Sequence, residues 1–158
     1  MVKFIKKKPF HLLAALSTLI IAAVYFIEYA LNQPPCVLCL YQRLPWYALL
    51  IIALLGWQWQ NRNFAVINTA FIAIALLVAF SSIALSGYHL GVEFQWWQGP
   101  RSCGGFTANA TAAELLATQP IRCDSVNFRL LGGSLALWNF IASTLLLLGG
   151  IVWLKKNG

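Results

Sequence analysis

The side chains best suited to chemistry in this sequence are two cysteines separated by two residues, Cys36 and Cys39. They follow Pro34 and Pro35, which end any preceding helix and let a new helix begin near Cys36. At this spacing one thiolate can attack a disulfide while its neighbour resolves the mixed disulfide. A Cys-X-X-Cys bridge also closes a very small loop, so it adds little as a structural staple. The pair therefore predicts thiol–disulfide exchange.

Two further cysteines, Cys103 and Cys123, lie in a less apolar segment later in the chain. An even number of cysteines in two groups predicts two disulfides, and three connectivities are possible. A zinc site would usually present two close ligand pairs. Only the first cysteine pair is close, and neither His11 nor His89 lies at a ligand-like spacing from it. We therefore predict no metal site.

Two basic side chains are candidates for binding a ligand near the close cysteine pair. Arg43 lies four residues after Cys39, on the same face of a helix. A cation inside an apolar span is costly, so we expect its guanidinium to approach an anionic ligand or a thiolate that the helix N-terminus stabilises at Cys39. His89 could reach a ligand beside the second span or deliver a proton, with interfacial hydrogen bonding as the alternative. Glu28 is interpreted as a solvated or headgroup-level acid near the outer end of the first span.

Membrane-spanning helices must position these residues. The chain has 158 residues, of which 60% are hydrophobic and 9% charged, and its mean hydropathy of +0.72 excludes an ordinary soluble domain. A spanning helix needs about 20 mostly apolar residues. Four stretches qualify: about 10–31, 40–58, 64–86 and 131–154. We predict an all-α bundle forming one domain, 1–158, with a long loop at about 87–130.

The distribution of charge predicts the topology. The net charge of +7 is concentrated in seven basic residues that would share one side of the membrane: Lys3, Lys6, Lys7, Lys8, Arg62, Lys155 and Lys156. By the positive-inside rule both termini are cytoplasmic and all four cysteines face outward, where cysteines tend to pair. This distribution argues against a nucleic-acid binder. The first apolar run continues to about Ala30, which favours an uncleaved span over a signal peptide.

The long outer loop contains residues suited to the membrane interface. We interpret Trp96 and Trp97 as interfacial anchors, with the border of a flat ring ligand as the alternative. Residues 108–118 are predicted to form a short helix on the headgroups. Glycines and prolines flank Cys103, and a mobile segment there would present Cys103 to an incoming protein.

Over nearly its whole length the sequence resembles the DsbB disulfide-bond formation proteins of bacterial inner membranes. The close cysteine pair and the two residues that follow it are similar to the first motif of that family. The matching positions are Cys36-Val37-Leu38-Cys39 with Tyr41 and Arg43, the loop cysteines Cys103 and Cys123, and residues 132–139 at the start of the fourth span.

The resemblance implies a thiol:quinone oxidoreductase that reoxidises a periplasmic DsbA-like protein and reduces ubiquinone or menaquinone. In such an enzyme the donor would attack Cys103 of a Cys103–Cys123 disulfide, and Cys123 would then exchange with Cys36. Cys39 would face the quinone, with Arg43 stabilising negative charge and His89 on the quinone side. The segment between Cys103 and Cys123 is short and carries few aromatic residues, so the docking of the donor would differ.

Two alternatives remain open at this point. The vitamin K epoxide reductase-like family also combines four helices, a Cys-X-X-Cys and a quinone, but its close pair belongs to a late span. A membrane scaffold or small channel whose cysteines only staple loops would instead keep Cys36 and Cys39 stably oxidised and unreactive.

Overall fold

The structure of the protein is a computed structural model. It describes residues 9–59, 65–100, 103, 122–126 and 128–157. The predicted interfacial helix at 108–118 lies outside these residues. Five of the seven basic residues used for the topology prediction, Arg62 and the four lysines before residue 9, also lie outside them.

Four helical spans confirm the predicted all-α membrane fold. The spans that are long and apolar enough to cross a bilayer are Pro9–Ala30, Val37–Trp59, Ile67–Glu93 and Leu135–Lys156. The secondary-structure elements are α1 (Pro9–Tyr25) with a π-helical turn (Phe26–Ala30), α2 (Val37–Tyr41), α3 (Arg43–Trp59), α4 (Ala65–Glu93), β1 (Arg129–Leu130), β2 (Gly133–Ser134) and α5 (Leu135–Asn157). The two short strands form an antiparallel hairpin immediately before α5.

The second span consists of two helical pieces, α2 and α3, that meet at Gln42. Pro45 has no N–H group to donate to the carbonyl of Tyr41, so the regular helical hydrogen-bond pattern is interrupted there. The backbone N–H of Gln42 still bonds to the carbonyl of Leu38 at 3.0 Å. The break therefore lies between the cysteine pair and the rest of the span.

The third span ends later than the sequence predicts. The predicted loop starts at residue 87, whereas α4 continues to Glu93 because no proline interrupts it. It ends in a Schellman motif, in which Gln95 has a φ of 59° and the N–H of Trp96 bonds to the carbonyl of Gly91 at 2.8 Å. The extension places His89 and Glu93 one turn apart on the same helix.

Sequence neighbours pack side by side, and the first and last spans leave a seam between them. α1 packs on α3, α3 on α4, and α4 on α5, whereas α1 and α5 make little direct contact among the described residues. The buried core includes Leu13, Trp46 and Leu49. Hydroxyls of Ser82 and Ser143 form a buried 2.8 Å hydrogen bond between α4 and α5, which is typical of helix packing in membranes.

Gly56 in α3 is needed for the close approach of α1. A Cβ at this position would overlap the ring of Phe10, which is buried, whereas a Cβ at Gly149 in α5 would meet nothing within 4 Å. We expect Gly56→Val to lower the free energy of unfolding by about 1–3 kcal/mol, the usual cost of overpacking. Thermal unfolding in detergent measures the change, with Gly149→Val as the matched control. Equal unfolding temperatures for the two variants would contradict the packing argument.

Candidate functional site

All four cysteines lie in one buried cluster at the end of the bundle where α2 begins and α4 ends. Cys36, Cys103 and Cys123 pack with Leu38 and Val92, and Cys39 borders them. Cys103 and Cys123 are joined by a disulfide, the pairing that the resemblance implies. Cys36 and Cys39 are free thiols. The cluster therefore holds one oxidised and one reduced pair in contact with each other.

The cap of α2 positions the reduced pair. Cys36 is the N-cap residue, with extended backbone, and its Sγ accepts a hydrogen bond from the N–H of Cys39 at 3.3 Å. The two sulfur atoms lie 2.9 Å apart. We predicted that helical N–H groups would stabilise a thiolate at Cys39, but the structure shows the sulfur of Cys36 receiving that hydrogen bond. The N-cap position explains the difference, because an N-cap side chain accepts from the first turn.

His89 links the cysteine pair to the third span. Its ring is 2% exposed, and its Nε2 lies 3.7 Å from Sγ of Cys36. Its Nδ1 accepts a hydrogen bond from Nε2 of Gln42 at 2.9 Å, which leaves Nε2–H to donate toward the sulfur. Oε1 of Glu93 lies 3.7 Å from Nε2 of His89. The structure thus places His89 beside the second span, with its Nε2–H directed at the sulfur of Cys36.

Cys36 immediately precedes the second span, and its surroundings stabilise the thiolate form. The hydrogen bond from the thiol of Cys39, together with the His89 ring, lowers the pKa of Cys36 from 9.0 to about 5, although burial opposes the shift. Because the pKa is lowered, Cys36 is largely thiolate at neutral pH in the reduced protein.

This shift predicts the pH dependence of alkylation. In the reduced protein, the rate at which iodoacetamide modifies Cys36 should be nearly constant between about pH 6 and pH 8 and fall only near the lowered pKa. Peptide mass spectrometry after timed quenching measures the rate. Cys39→Ala should move the midpoint upward more than His89→Ala does, since the Cys39 hydrogen bond is the largest cause. A wild-type midpoint near the ordinary thiol pKa would contradict the geometry.

Arg43 forms an ion pair inside the bundle. Its Nη1 donates to Oε2 of Glu28 at 2.6 Å, and its guanidinium lies 5.1 Å from the ring centroid of Tyr25. Glu28 is therefore not the solvated acid that we predicted; its side chain is 21% exposed. The wide π-helical turn that ends the first span carries Glu28. Arg43 and Cys39 line the same cavity, but the charged partner of Arg43 is a carboxylate of the protein.

Removal of one member of the Arg43–Glu28 pair should lower the free energy of unfolding more than removal of both members. Arg43→Gln leaves a carboxylate without its partner in a partly buried place, and we expect a loss of about 1–3 kcal/mol, below the 3–5 kcal/mol typical of fully buried pairs. Arg43→Gln with Glu28→Gln should recover part of this loss. A double-mutant cycle on thermal unfolding measures the coupling. Strict additivity of the two single variants would show that the pair contributes no coupling energy.

A cavity of about 390 Å³ opens beside the cysteine pair, and its lining is mostly apolar. Its polar residues include Cys39, Arg43, His89 and Asn139. Oδ1 of Asn139 accepts a 2.7 Å hydrogen bond from the indole of Trp46. Its Nδ2 is buried and has no hydrogen-bond partner among the described residues. The cavity therefore offers an unused donor in an apolar setting.

A second apolar cavity of about 480 Å³ adjoins the first. It is lined by α1, α4 and α5, and both cavities are bordered by Leu16 and Ala142. Together they follow the seam between the first and last spans. This arrangement suits a ligand with a polar head and a long apolar tail.

The segment after α4 folds back onto that helix and positions Cys103. The indole of Trp97 donates to the carbonyl of Tyr88 at 3.0 Å, and its ring occupies the space beside Gly91, where a Cβ would overlap it. Trp97 packs against α4 on one side but is still 45% exposed, and Trp96 is 72% exposed, so both side chains suit the anchoring role. Cys103 is buried.

Sequence reasoning missed Gln42, gave Glu93 little weight, interpreted Glu28 differently, and included Asn139 only as part of the family resemblance. A polar or ionisable side chain in an apolar span is a candidate for function by default. That rule singles out Gln42, which follows Cys39 by three residues, and Asn139 in the fourth span. Their partners depend on how the spans pack, which no local spacing reveals.

The sequence matches the model of a known family and is similar to a known protein. The sequence model of the family described as disulfide bond formation protein DsbB matches residues 6–153. An uncharacterized protein of Rickettsia prowazekii (strain Madrid E) is 26% identical over 169 residues, which cover 99% of this chain and 95% of that protein. The family match spans all four helices and both cysteine pairs.

Proposed function

Because this chain belongs to the disulfide bond formation protein DsbB family, we propose that it oxidises a periplasmic DsbA-like protein and passes the electrons to a membrane quinone. The observation that carries the proposal is the single cluster in which a disulfide, Cys103–Cys123, packs against a dithiol, Cys36 and Cys39. A mostly apolar cavity borders the dithiol. In this arrangement the Cys103–Cys123 pair would react with the donor protein and the Cys36–Cys39 pair with an acceptor in the membrane.

The first exchange transfers two electrons from the donor to the loop pair. A donor thiolate attacks Sγ of Cys103, the Cys103–Cys123 bond breaks, and Cys123 leaves as a thiolate. The second donor thiolate then displaces Cys103, so the donor becomes a disulfide and the loop pair a dithiol. Cys103 is buried, so its sulfur must become accessible to the donor before this step.

The second exchange transfers the same electrons to the pair at α2. Cys123 attacks Cys36 of an oxidised Cys36–Cys39 pair and releases Cys39; Cys103 then attacks Cys123 and releases Cys36. The loop disulfide is restored and the close pair becomes a dithiol. The redox state of the structure matches this product, in which the electrons await an acceptor.

The protein supplies a hydrogen-bond donor for the thiolate of the dithiol. His89 Nε2 lies 3.7 Å from Sγ of Cys36, and Gln42 holds the opposite ring nitrogen. In the dithiol state Cys36 is largely thiolate, because its contacts with the Cys39 side chain and the His89 ring stabilise the charged form. Once Cys36 is part of a disulfide, Cys39 is the remaining thiol and faces the cavity. Cys39 is then the sulfur placed beside an acceptor.

The residues around the cavity fit a quinone. The unpartnered Nδ2 of Asn139 and the guanidinium of Arg43 can donate to carbonyl oxygens of the head group, while the adjoining apolar cavity suits a prenyl tail. When bound, a quinone supplies an acceptor for two electrons and two protons. Ubiquinone and menaquinone share these features, so the cavity does not distinguish them.

The proposed orientation places the cysteine cluster in the periplasm and both termini in the cytoplasm of a bacterium, with the spans in the inner membrane. Lys155 and Lys156 in the last turn of α5 support it, because α5 begins at the cluster end and finishes at the other. A disulfide in the cluster also fits an oxidising compartment.

Two observations favour this function over the alternatives. A scaffold with structural bridges predicts an oxidised Cys36–Cys39 pair, whereas these residues are free thiols. A vitamin K epoxide reductase-like arrangement predicts the close pair in a late span, whereas here it begins the second of four.

Anaerobic quinone reduction tests the proposal. The purified protein in lipid vesicles is mixed with a reduced DsbA-like protein and either a ubiquinone or a menaquinone, and quinol absorbance is followed together with donor thiols. We expect one quinol for each donor disulfide formed, and the same rate for His11→Ala, a change at the opposite end of the bundle. Donor oxidation without quinol, or no oxidation with either quinone, would contradict the proposal.

A further inference from the structure

We propose that the reduced site binds a thiophilic cation such as Zn²⁺ through Sγ of Cys36, Sγ of Cys39 and Nε2 of His89. These three donor atoms all lie within 4.8 Å of one another. Two residues come from the start of the second span and one from the end of the third. The sequence gives no hint of the set, because His89 is 53 residues from Cys36.

The distances need little adjustment to hold a tetrahedral zinc ion. With Zn–S bonds of about 2.3 Å and Zn–N bonds of about 2.0 Å, neighbouring ligand atoms lie about 3.5–3.8 Å apart. Nε2 of His89 is already 3.7 Å from Sγ of Cys36. The two sulfurs, now 2.9 Å apart, must separate by less than about 1 Å. A change of side-chain rotamer at Cys39, the less buried cysteine of the two, can supply this.

Neighbouring groups complete the site. To bind a metal through Nε2, the ring must carry its proton on Nδ1, and rotation of the Gln42 amide by a half-turn presents Oε1 to that proton. Oε1 of Glu93 lies 3.7 Å from Nε2 of His89, outside the set of three mutually close donor atoms, which leaves the fourth position open. Two cysteines, one histidine and an open position form a ligand set known for zinc.

Metal binding would be restricted to one redox state. Both cysteines bind the metal as thiolates, so any thiol proton still present is released, and no electrons move. A Cys36–Cys39 disulfide offers no thiolate, so bound metal and an oxidised pair exclude each other. The metal site depends only on the placement of three side chains. The further expectation that bound metal stops electron transfer also depends on the proposed function.

Metal titration tests the site directly, with binding and absorbance as readouts. The full chain in detergent is reduced anaerobically, freed of reductant and titrated with Zn²⁺ against a chromogenic chelator. Co²⁺ is titrated separately, because thiolate-to-cobalt charge-transfer absorption reports sulfur ligands. The variants are Cys36→Ser, His89→Gln, the double variant Cys103→Ser with Cys123→Ser, and His11→Ala as the matched histidine control.

We expect one tightly bound Zn²⁺ per reduced chain and none after oxidation with diamide. Loss of an outer-shell partner typically weakens zinc binding by about 10–100-fold, so loss of a direct ligand in Cys36→Ser or His89→Gln should exceed about 100-fold. His11→Ala and the loop double variant should keep the metal and the cobalt band. Cys36→Ser retains an N-cap oxygen, so its unfolding temperature should match the wild type.

Three results would overturn the site: zinc retained by Cys36→Ser, a cobalt band that follows Cys103 and Cys123 instead, or equal binding by oxidised and reduced protein. Quinone reduction by metal-free protein is measured in parallel. Its failure would count against the proposed function alone, while loss of metal binding with intact turnover would count against the metal site alone.

Discussion

Cys39→Ser should abolish donor-driven quinone reduction, with a loss of at least about a thousandfold. A serine oxygen forms no disulfide, so the pair at α2 could no longer take up two electrons, and residues that act as one catalytic unit show losses of this size or greater. Cys36 and Cys39 both line the cavity that Arg43 also lines, and Cys36 lies 3.7 Å from Nε2 of His89. The rate of quinol formation with a reduced donor protein measures the effect.

A structural role for Cys39 would give a different pattern. The residue is a free thiol, so its replacement breaks no bridge. We therefore expect the unfolding temperature of Cys39→Ser to stay within experimental error of the wild type. Retention of more than about a tenth of the wild-type rate would contradict the assigned role, since no sulfur pair would remain beside the cavity.

The double variant Cys103→Ser with Cys123→Ser should separate the two halves of the pathway. Oxidation of the donor protein should fall by at least about a thousandfold, because its thiols would have no loop disulfide to attack. Oxidation of a small dithiol should stay within about tenfold of the wild type, because such a molecule can reach the Cys36–Cys39 disulfide through the cavity. Quinol formation with each donor measures both rates on one sample.

The small-dithiol reaction also controls for folding of the double variant. A variant that had lost its fold would fail with both donors, and the four packed spans do not require the loop disulfide for their contacts. Full activity with the donor protein would refute the role of the loop pair. The variant could also unfold at the wild-type temperature and lose as much activity with the small dithiol as with the donor protein. That result would refute direct access of the small dithiol to the Cys36–Cys39 pair.

The sequence predicted those parts of the molecule that depend on local patterns. Hydropathy locates a spanning helix because lipid demands a continuous apolar run with internally satisfied backbone. Pro34 and Pro35 correctly predicted a helix beginning at the cysteine pair. The resemblance to a family supplied the loop pairing, which four cysteines alone leave open.

The contacts between spans could not be predicted in the same way. Glu28 meets Arg43 because the first span ends in a π-helical turn, and hydropathy carries no information about helix pitch. His89 meets Cys36 and Gln42 because α4 runs past the predicted end of the span as far as Glu93. Both contacts depend on the rotation and length of helices, which are set by packing across the bundle.

The proposed electron transfer depends most on direct exchange between the two cysteine pairs. The variant Cys39→Ser with Cys103→Ser leaves only Cys36 and Cys123, the two sulfurs that we assign to the exchange, within one packed cluster. Non-reducing peptide mass spectrometry after mild oxidation in vesicles measures their linkage, with Cys36→Ser and Cys103→Ser as the matched control. We expect an intramolecular Cys36–Cys123 disulfide that forms faster than any Cys39–Cys123 disulfide in the control. Two cysteines that remain thiols, or that link only between chains, would contradict this direct exchange.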